Sequence, residues 1–128
     1  MARTPIIHIG DLLIAPVRED LRDGDALLLQ EELTAAIVRT EARGVLLDIS
    51  VVEIVDSFLG RLLGDIATGT RLFGAYTVVV GMQPAVAITL VELGVQLRGV
   101  RTALNVEKGM RVLRGLIAEE HARDDTHG

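Results

Sequence analysis

Val45-Leu46-Leu47-Asp48-Ile49 is the stretch on which the reading of the fold turns. It is a short apolar run that follows the turn signal Gly44, as an interior parallel strand covered on both faces requires. A helix should come next, and Phe58 to Phe73 supplies one. Leu59, Leu62, Leu63, Ile66 and Phe73 share a face, Asp56 or Ser57 can cap the start, and Gly74 closes the end. Tyr76 to Val80 then reads as a second buried strand.

Upstream, Ile6 to Ile9 and Leu12 to Val17 are apolar runs flanking Gly10-Asp11, a dipeptide suited to a tight reversal, which predicts a β-hairpin. Asp23 to Glu41 carries Leu29, Leu33, Ala36 and Ile37 at the spacing of one helical face, and Gly44 is expected to end that helix. Downstream, Pro84 opens a short helix and Gly94 stands at its C-terminal position. Arg101 to Leu104 suits an edge strand, and Asn105 caps a last helix with Val106, Met110, Leu113 and Ile117 on one face. The expected class is α/β: a mixed sheet with an antiparallel edge hairpin and the remaining strands parallel. Residues 1–118 form a single domain, and the polar tail, Glu119 to Gly128, is expected to be frayed and disordered.

A length of 128 residues suits one compact domain. The absence of cysteine excludes disulfides, thiolate nucleophiles and cysteine-ligated metals, and it fits a reducing cytoplasm, where the protein is expected to reside. The run Ile6-Ile7-His8-Ile9 is too short for the core of an export signal. Thr77 to Leu97 is apolar over a membrane-like length, but Gln83, Pro84, Glu92 and Gln96 interrupt it, so strand, turn and helix are expected there. Formal net charge is −5 and the thirteen basic residues are scattered, which argues against a nucleic-acid partner. With 49% hydrophobic residues and a mean hydropathy of +0.40, a domain of this size leaves apolar surface outside, and that favours assembly with other chains.

Loops leaving parallel strands gather on one edge of the sheet, so Ser50 to Ser57 and Gly81 to Pro84 are expected to meet there. Two helix N-termini would then face one surface, with unpaired amide donors that favour anions. Position alone leaves Ser57 open between a capping serine and a phosphoacceptor. Thr89 is equally open between a functional hydroxyl and one bonded back to its own helix. Asp48 and Asp56 could be imagined as a metal or acid–base pair, but no third ligand follows at a useful spacing, and solvated or hydrogen-bonded carboxylates are the simpler reading. His8, in the first strand, and His121 and His127, in the tail, do not converge. Phosphate-loop, nucleophile-elbow and zincin signatures are absent, and no acid, base and nucleophile converge near Asp56 to support a hydrolytic reading.

Two segments carry a family resemblance: Val55-Asp56-Ser57-Phe58-Leu59, and the run from Gly81 through Met82-Gln83-Pro84-Ala85-Val86-Ala87-Ile88-Thr89 to Gly94. They resemble the signature segments of the RsbS-like stressosome scaffold proteins, which belong to the STAS domains together with the anti-anti-sigma factors (anti-sigma factor antagonists). The resemblance extends more weakly over nearly the whole chain and leaves out the tail. It implies a STAS domain, with helices packed mainly on one face of the sheet, and no catalysis or cofactor. It implies co-assembly with an RsbR-type STAS paralogue into a large particle, with formation of homo- and hetero-oligomers. It further implies sequestration of a GHKL-type serine/threonine switch kinase (RsbT-like), released on phosphorylation, and resetting by a PP2C-type phosphatase (RsbX-like).

Carried over by position, Ser57 matches the phosphoserine of the family. Thr89 matches a phosphothreonine position of the RsbR-type paralogues, a second modification position not generally used by RsbS-like members. Asp56, Ser57, Phe58, Gln83 and Pro84 would form the kinase- and partner-binding surface. The lack of a large N-terminal sensory segment favours the RsbS-like over the RsbR-like members. The alternative within the class is a free anti-anti-sigma factor that binds its anti-sigma kinase as a small complex.

Overall fold

A computed structural model describes residues 5–97 and 99–127, with the backbone alone for 124–127. The described elements run β1 (Ile7–Ile9), β2 (Leu12–Pro16), α1 (Asp23–Thr40), β3 (Gly44–Asp48), α2 (Ser57–Leu72), β4 (Tyr76–Val80), α3 (Pro84–Glu92), β5 (Arg101–Ala103) and α4 (Val106–His127). The sheet has five strands in the order β1-β2-β3-β4-β5. β1 pairs antiparallel with β2, and every later pairing is parallel. The expected hairpin and mixed sheet are therefore present.

The apolar run of β3 explains its central place. Val45, Leu46 and Leu47 have 0% exposure, because alternate side chains enter two different cores. Leu13, Ala15, Val45, Leu47 and Val79 meet Leu29 and Leu33 of α1, Leu62, Leu63 and Ile66 of α2, and Val86 and Leu90 of α3. Leu12, Leu46, Val78 and Val80 meet Leu113 and Ile117 of α4. Right-handed crossovers put the first three helices on one face, and α4, which follows the last strand, closes the other. Helices thus lie mainly on one face, as the resemblance implies, with α4 alone opposite.

Two local expectations need correction. Gly44 does not end α1; Glu41 does, in the left-handed region with φ 57°, its N–H bonded to the Ile37 carbonyl. Gly44 instead opens β3, where a Cβ would stand 2.8 Å from Leu12 Cδ2 and 3.0 Å from Leu113 Cδ1. Phe73 is not on the buried face of α2. It follows the helix as its C-cap and is 51% exposed.

The helix α4 continues through the polar stretch from Glu119 to His127. Glu120 joins this part of the chain to distant segments. Its carboxylate accepts from Arg43 at 2.8 Å and Arg71 at 3.3 Å, and the Arg71 guanidinium also lies 4.1 Å over the Tyr76 ring. Burial works to raise the Glu120 pKa, but the hydrogen bonds and charges of the two arginines outweigh it and hold the group below the ordinary carboxylate range. A polar stretch of α4 is thereby tied to the last turn of α2 and to the loop before β3.

Candidate phosphoacceptor site

The parallel register aligns Pro16, Asp48 and Val80, so the loops 17–22, 49–56 and 81–83 leave the sheet side by side. Specific contacts then join them. Asp48 Oδ1 accepts the Ser50 N–H at 2.9 Å and turns the chain out of β3. Gly81, at φ +79°, passes so close that a Cβ would lie 2.8 Å from Ser50 Cβ and 3.1 Å from Asp48 Oδ1, so both its conformation and the space require glycine. Gln83 precedes α3 but leaves it uncapped; its Nε2 donates instead to the Ser50 carbonyl at 2.9 Å.

The loop 49–56 is pegged inward by Val52 and Val55, at 0% and 8% exposure, while Val51 and Ile54 point out at 62% and 76%. Glu19, from the loop after β2, binds the other side. One carboxylate oxygen accepts from the successive N–H groups of Glu53, at 2.8 Å, and Ile54, at 3.0 Å. Those two backbone bonds, Ile54 first, hold the Glu19 pKa below the ordinary carboxylate value.

Asp56 is the N-cap of α2, its Oδ1 accepting the Leu59 N–H at 2.9 Å. This decides between the two cap candidates: Ser57 is the first helical residue and is left free of capping duty. Its side chain is exposed and has no hydrogen-bond partner among the described residues. Phe58, half-buried, packs against the main core beneath it. Pro84 is exposed at the start of α3, so Asp56, Ser57 and Phe58 stand on one helix start, and Gln83 and Pro84 on the next, tied together through Ser50. Thr89 lies farther along α3, half-buried, with its Oγ1 donating to the Ala85 carbonyl at 2.9 Å.

Because Asp56 and not Ser57 supplies the cap, Asp56→Ala should cost about 1 kcal/mol (within roughly 0.5–2), and Ser57→Ala distinctly less. Urea denaturation of the two variants checks this; equal losses would overturn the assignment of the cap.

The two aspartates singled out from the sequence each serve a main-chain amide, Asp48 that of Ser50 and Asp56 that of Leu59. No group of three or more metal-ligating side chains occurs among the described residues. His8 is exposed on β1 and His121 on α4, while the side chain of His127 lies outside the described residues. Sequence reasoning missed Glu19 and the Arg43–Glu120–Arg71 group. Neither follows a periodic pattern, and each joins segments far apart in the chain.

Residues 4–109 match the family described as the STAS domain. Among solved structures, a variant of Moorella thermoacetica RsbS in which a serine is replaced by glutamate is 38% identical, with a TM-score of 0.76, over 91% of this chain and 99% of that one. A structure described as the molecular architecture of the stressosome, a signal integration and transduction hub, is 41% identical, with a TM-score of 0.75, over 88% of this chain and 98% of that one. RsbT co-antagonist protein RsbRA of Bacillus subtilis (strain 168) is 28% identical over 108 residues, 84% of this chain. The chain spans 39% of the length of that relative. Among the described residues, no helix is long and apolar enough to cross a membrane.

Proposed function

The chain belongs to the STAS domain family, and from that premise we propose that it is a non-enzymatic stressosome scaffold and a phosphorylation switch acting through Ser57. It sequesters a serine/threonine switch kinase and releases it when Ser57 is phosphorylated. The observation that carries this reading is an exposed serine, free of the capping role, in the first turn of α2, beside the start of α3, in a chain 38% identical to an RsbS protein along nearly its whole length.

The physical argument is one of tolerance and presentation. A phosphate on Ser57 would meet the positive end of the α2 dipole, with Arg61 one turn away on the same side, so its charge need not disturb the core. What changes is the surface formed by Asp56, Ser57, Phe58, Gln83 and Pro84. Replacement of a serine by glutamate in the Moorella relative puts a negative charge on an RsbS scaffold, as phosphate does. Thr89 is a weaker second position, since its hydroxyl is engaged with its own helix.

The partners that follow are an RsbR-type STAS paralogue, a GHKL-type kinase of the RsbT kind and a PP2C-type phosphatase of the RsbX kind, all in the cytoplasm. RsbRA is named as an RsbT co-antagonist, which supports the kinase as the shared target. Asp48 and Asp56 are both committed to backbone amides, which favours binding over catalysis.

Light scattering of the purified chain, alone and mixed with an RsbR-type paralogue, tests the scaffold. The expected result is a large particle, formed by the chain alone or on mixing. A monomer at all concentrations, unchanged by the paralogue, would overturn the scaffold; if that monomer bound the kinase in a small complex, the free anti-anti-sigma reading would replace it.

A further inference from the structure

We propose that Glu19 is a positioning residue for the Ser57 switch: by clamping the amides of Glu53 and Ile54 it fixes the loop 49–56 that presents Ser57 and its apolar neighbours to the kinase. The proposal rests on the reading of Ser57 as phosphoacceptor.

Among the described residues, three side chains tie the loop by hydrogen bonds, and they come from three different strand ends. Asp48 holds Ser50 from within, Gln83 holds the Ser50 carbonyl from the β4 side, and Glu19 holds the far half from the β2 side. The first two stop at Ser50. Among the described residues, of these three ties only the Glu19 contacts reach past Ser50 toward Asp56 and Ser57, where burial of Val52 and Val55 supplies the remaining anchors. Two successive N–H groups converging on one carboxylate oxygen form a small anion-binding concavity, already filled by a side chain of the same molecule. Charge-assisted bonds of this kind are stronger than neutral ones, and the depressed pKa of Glu19 is in keeping with that.

The clamp explains an otherwise unfavourable arrangement. Ile54 is 76% exposed and Val51 62%, and an unheld loop could turn such side chains inward or aside. With its own amide and that of Glu53 fixed, Ile54 is held outward in the loop that leads to the phosphoacceptor. Glu19 itself lies in the loop between β2 and α1, and these two bonds go to the loop 49–56 and not to α2, so it acts on the switch through that loop. A role of that kind should appear in substrate recognition and leave the phosphoryl-transfer step alone.

The test compares Glu19→Ala with Asp20→Ala, a neighbouring exposed acid paired with Arg18 at 3.5 Å and bonded to neither amide. Amide hydrogen exchange is read on the free chain, and phosphorylation kinetics use an RsbT-type kinase from the same genome with ATP. In Glu19→Ala, exchange at Glu53 and Ile54 should accelerate about tenfold. KM for the chain as substrate should rise about fivefold with kcat within about twofold, and Ser57 should remain the modified residue. Asp20→Ala should do neither. The proposal is overturned by unchanged exchange in Glu19→Ala, by faster exchange with unchanged KM, by a fall in kcat at constant KM, or by equal effects in Asp20→Ala. Failure of wild type to accept phosphate would instead sink the Ser57 reading, and the exchange arm, which needs no kinase, separates the two failures.

Discussion

With the cognate kinase and ATP, Ser57→Ala should lose essentially all phosphorylation while folding as wild type, and Ser57→Asp should fold but bind the kinase at least about tenfold more weakly than Ser57→Ala. The structure separates the two consequences of touching this residue. Stability of the helix start rests on the Asp56 cap and on burial of Leu59 at 4% exposure, so removing the Ser57 hydroxyl leaves both in place. The added carboxylate in Ser57→Asp meets the favourable end of the helix dipole, which keeps the fold. Outward, the same charge joins Glu19, Glu53 and Asp56 on one edge, all exposed, and changes what can dock there. Mass spectrometry of the phosphorylated chain and binding titrations of the three proteins decide the matter. Wild-type phosphorylation of Ser57→Ala, or equal kinase affinity of Asp and Ala variants, would end the proposed mechanism.

Leu113→Ala should cost about 3 kcal/mol (within roughly 2–5), a large share of the roughly 5–15 kcal/mol that holds a domain of this kind together. Leu113 has 0% exposure and is the centre of the smaller core, packed over Leu12 and the bare backbone of Gly44. One helix alone closes that face of the sheet, so no neighbouring helix can move in to fill the space left behind. Arg114→Ala, the adjacent exposed position, should change stability by no more than about 0.5 kcal/mol. Urea denaturation of both variants provides the comparison. A loss below about 1 kcal/mol in Leu113→Ala would mean that α4 is not a tightly packed layer, and the two-core description would fall with it.

Much of the architecture was already determined by the amino-acid sequence, because it depends on short-range rules. The period-two and period-3.6 apolar patterns, the unbroken apolar run of β3, Pro84 at the start of α3 and Asn105, whose Oδ1 accepts the Lys108 N–H at 2.9 Å, each state an element within a few residues of itself. The meeting of the Ser57 and Pro84 loops was legible for the same reason, since parallel strands must deliver their outgoing loops to one edge.

What only the tertiary structure decided are the contacts between distant segments and the ends of elements. Whether Asp56 or Ser57 caps α2 is a matter of backbone angle at one residue, and both side chains are good caps in the abstract. That Gly44 serves β3 and not the end of α1 follows from its close packing beside Leu12 and Leu113, which leaves no room for a side chain, a demand made by residues about 30 and 70 positions away. The polar composition after Glu119 gives no sign that Arg43 and Arg71 reach Glu120. Glu19 is the sharpest case. A glutamate in a loop carries no periodic signal, and its partners, the amides of Glu53 and Ile54, are backbone groups that every residue type shares; only the approach of two loops in space tells which of them it holds.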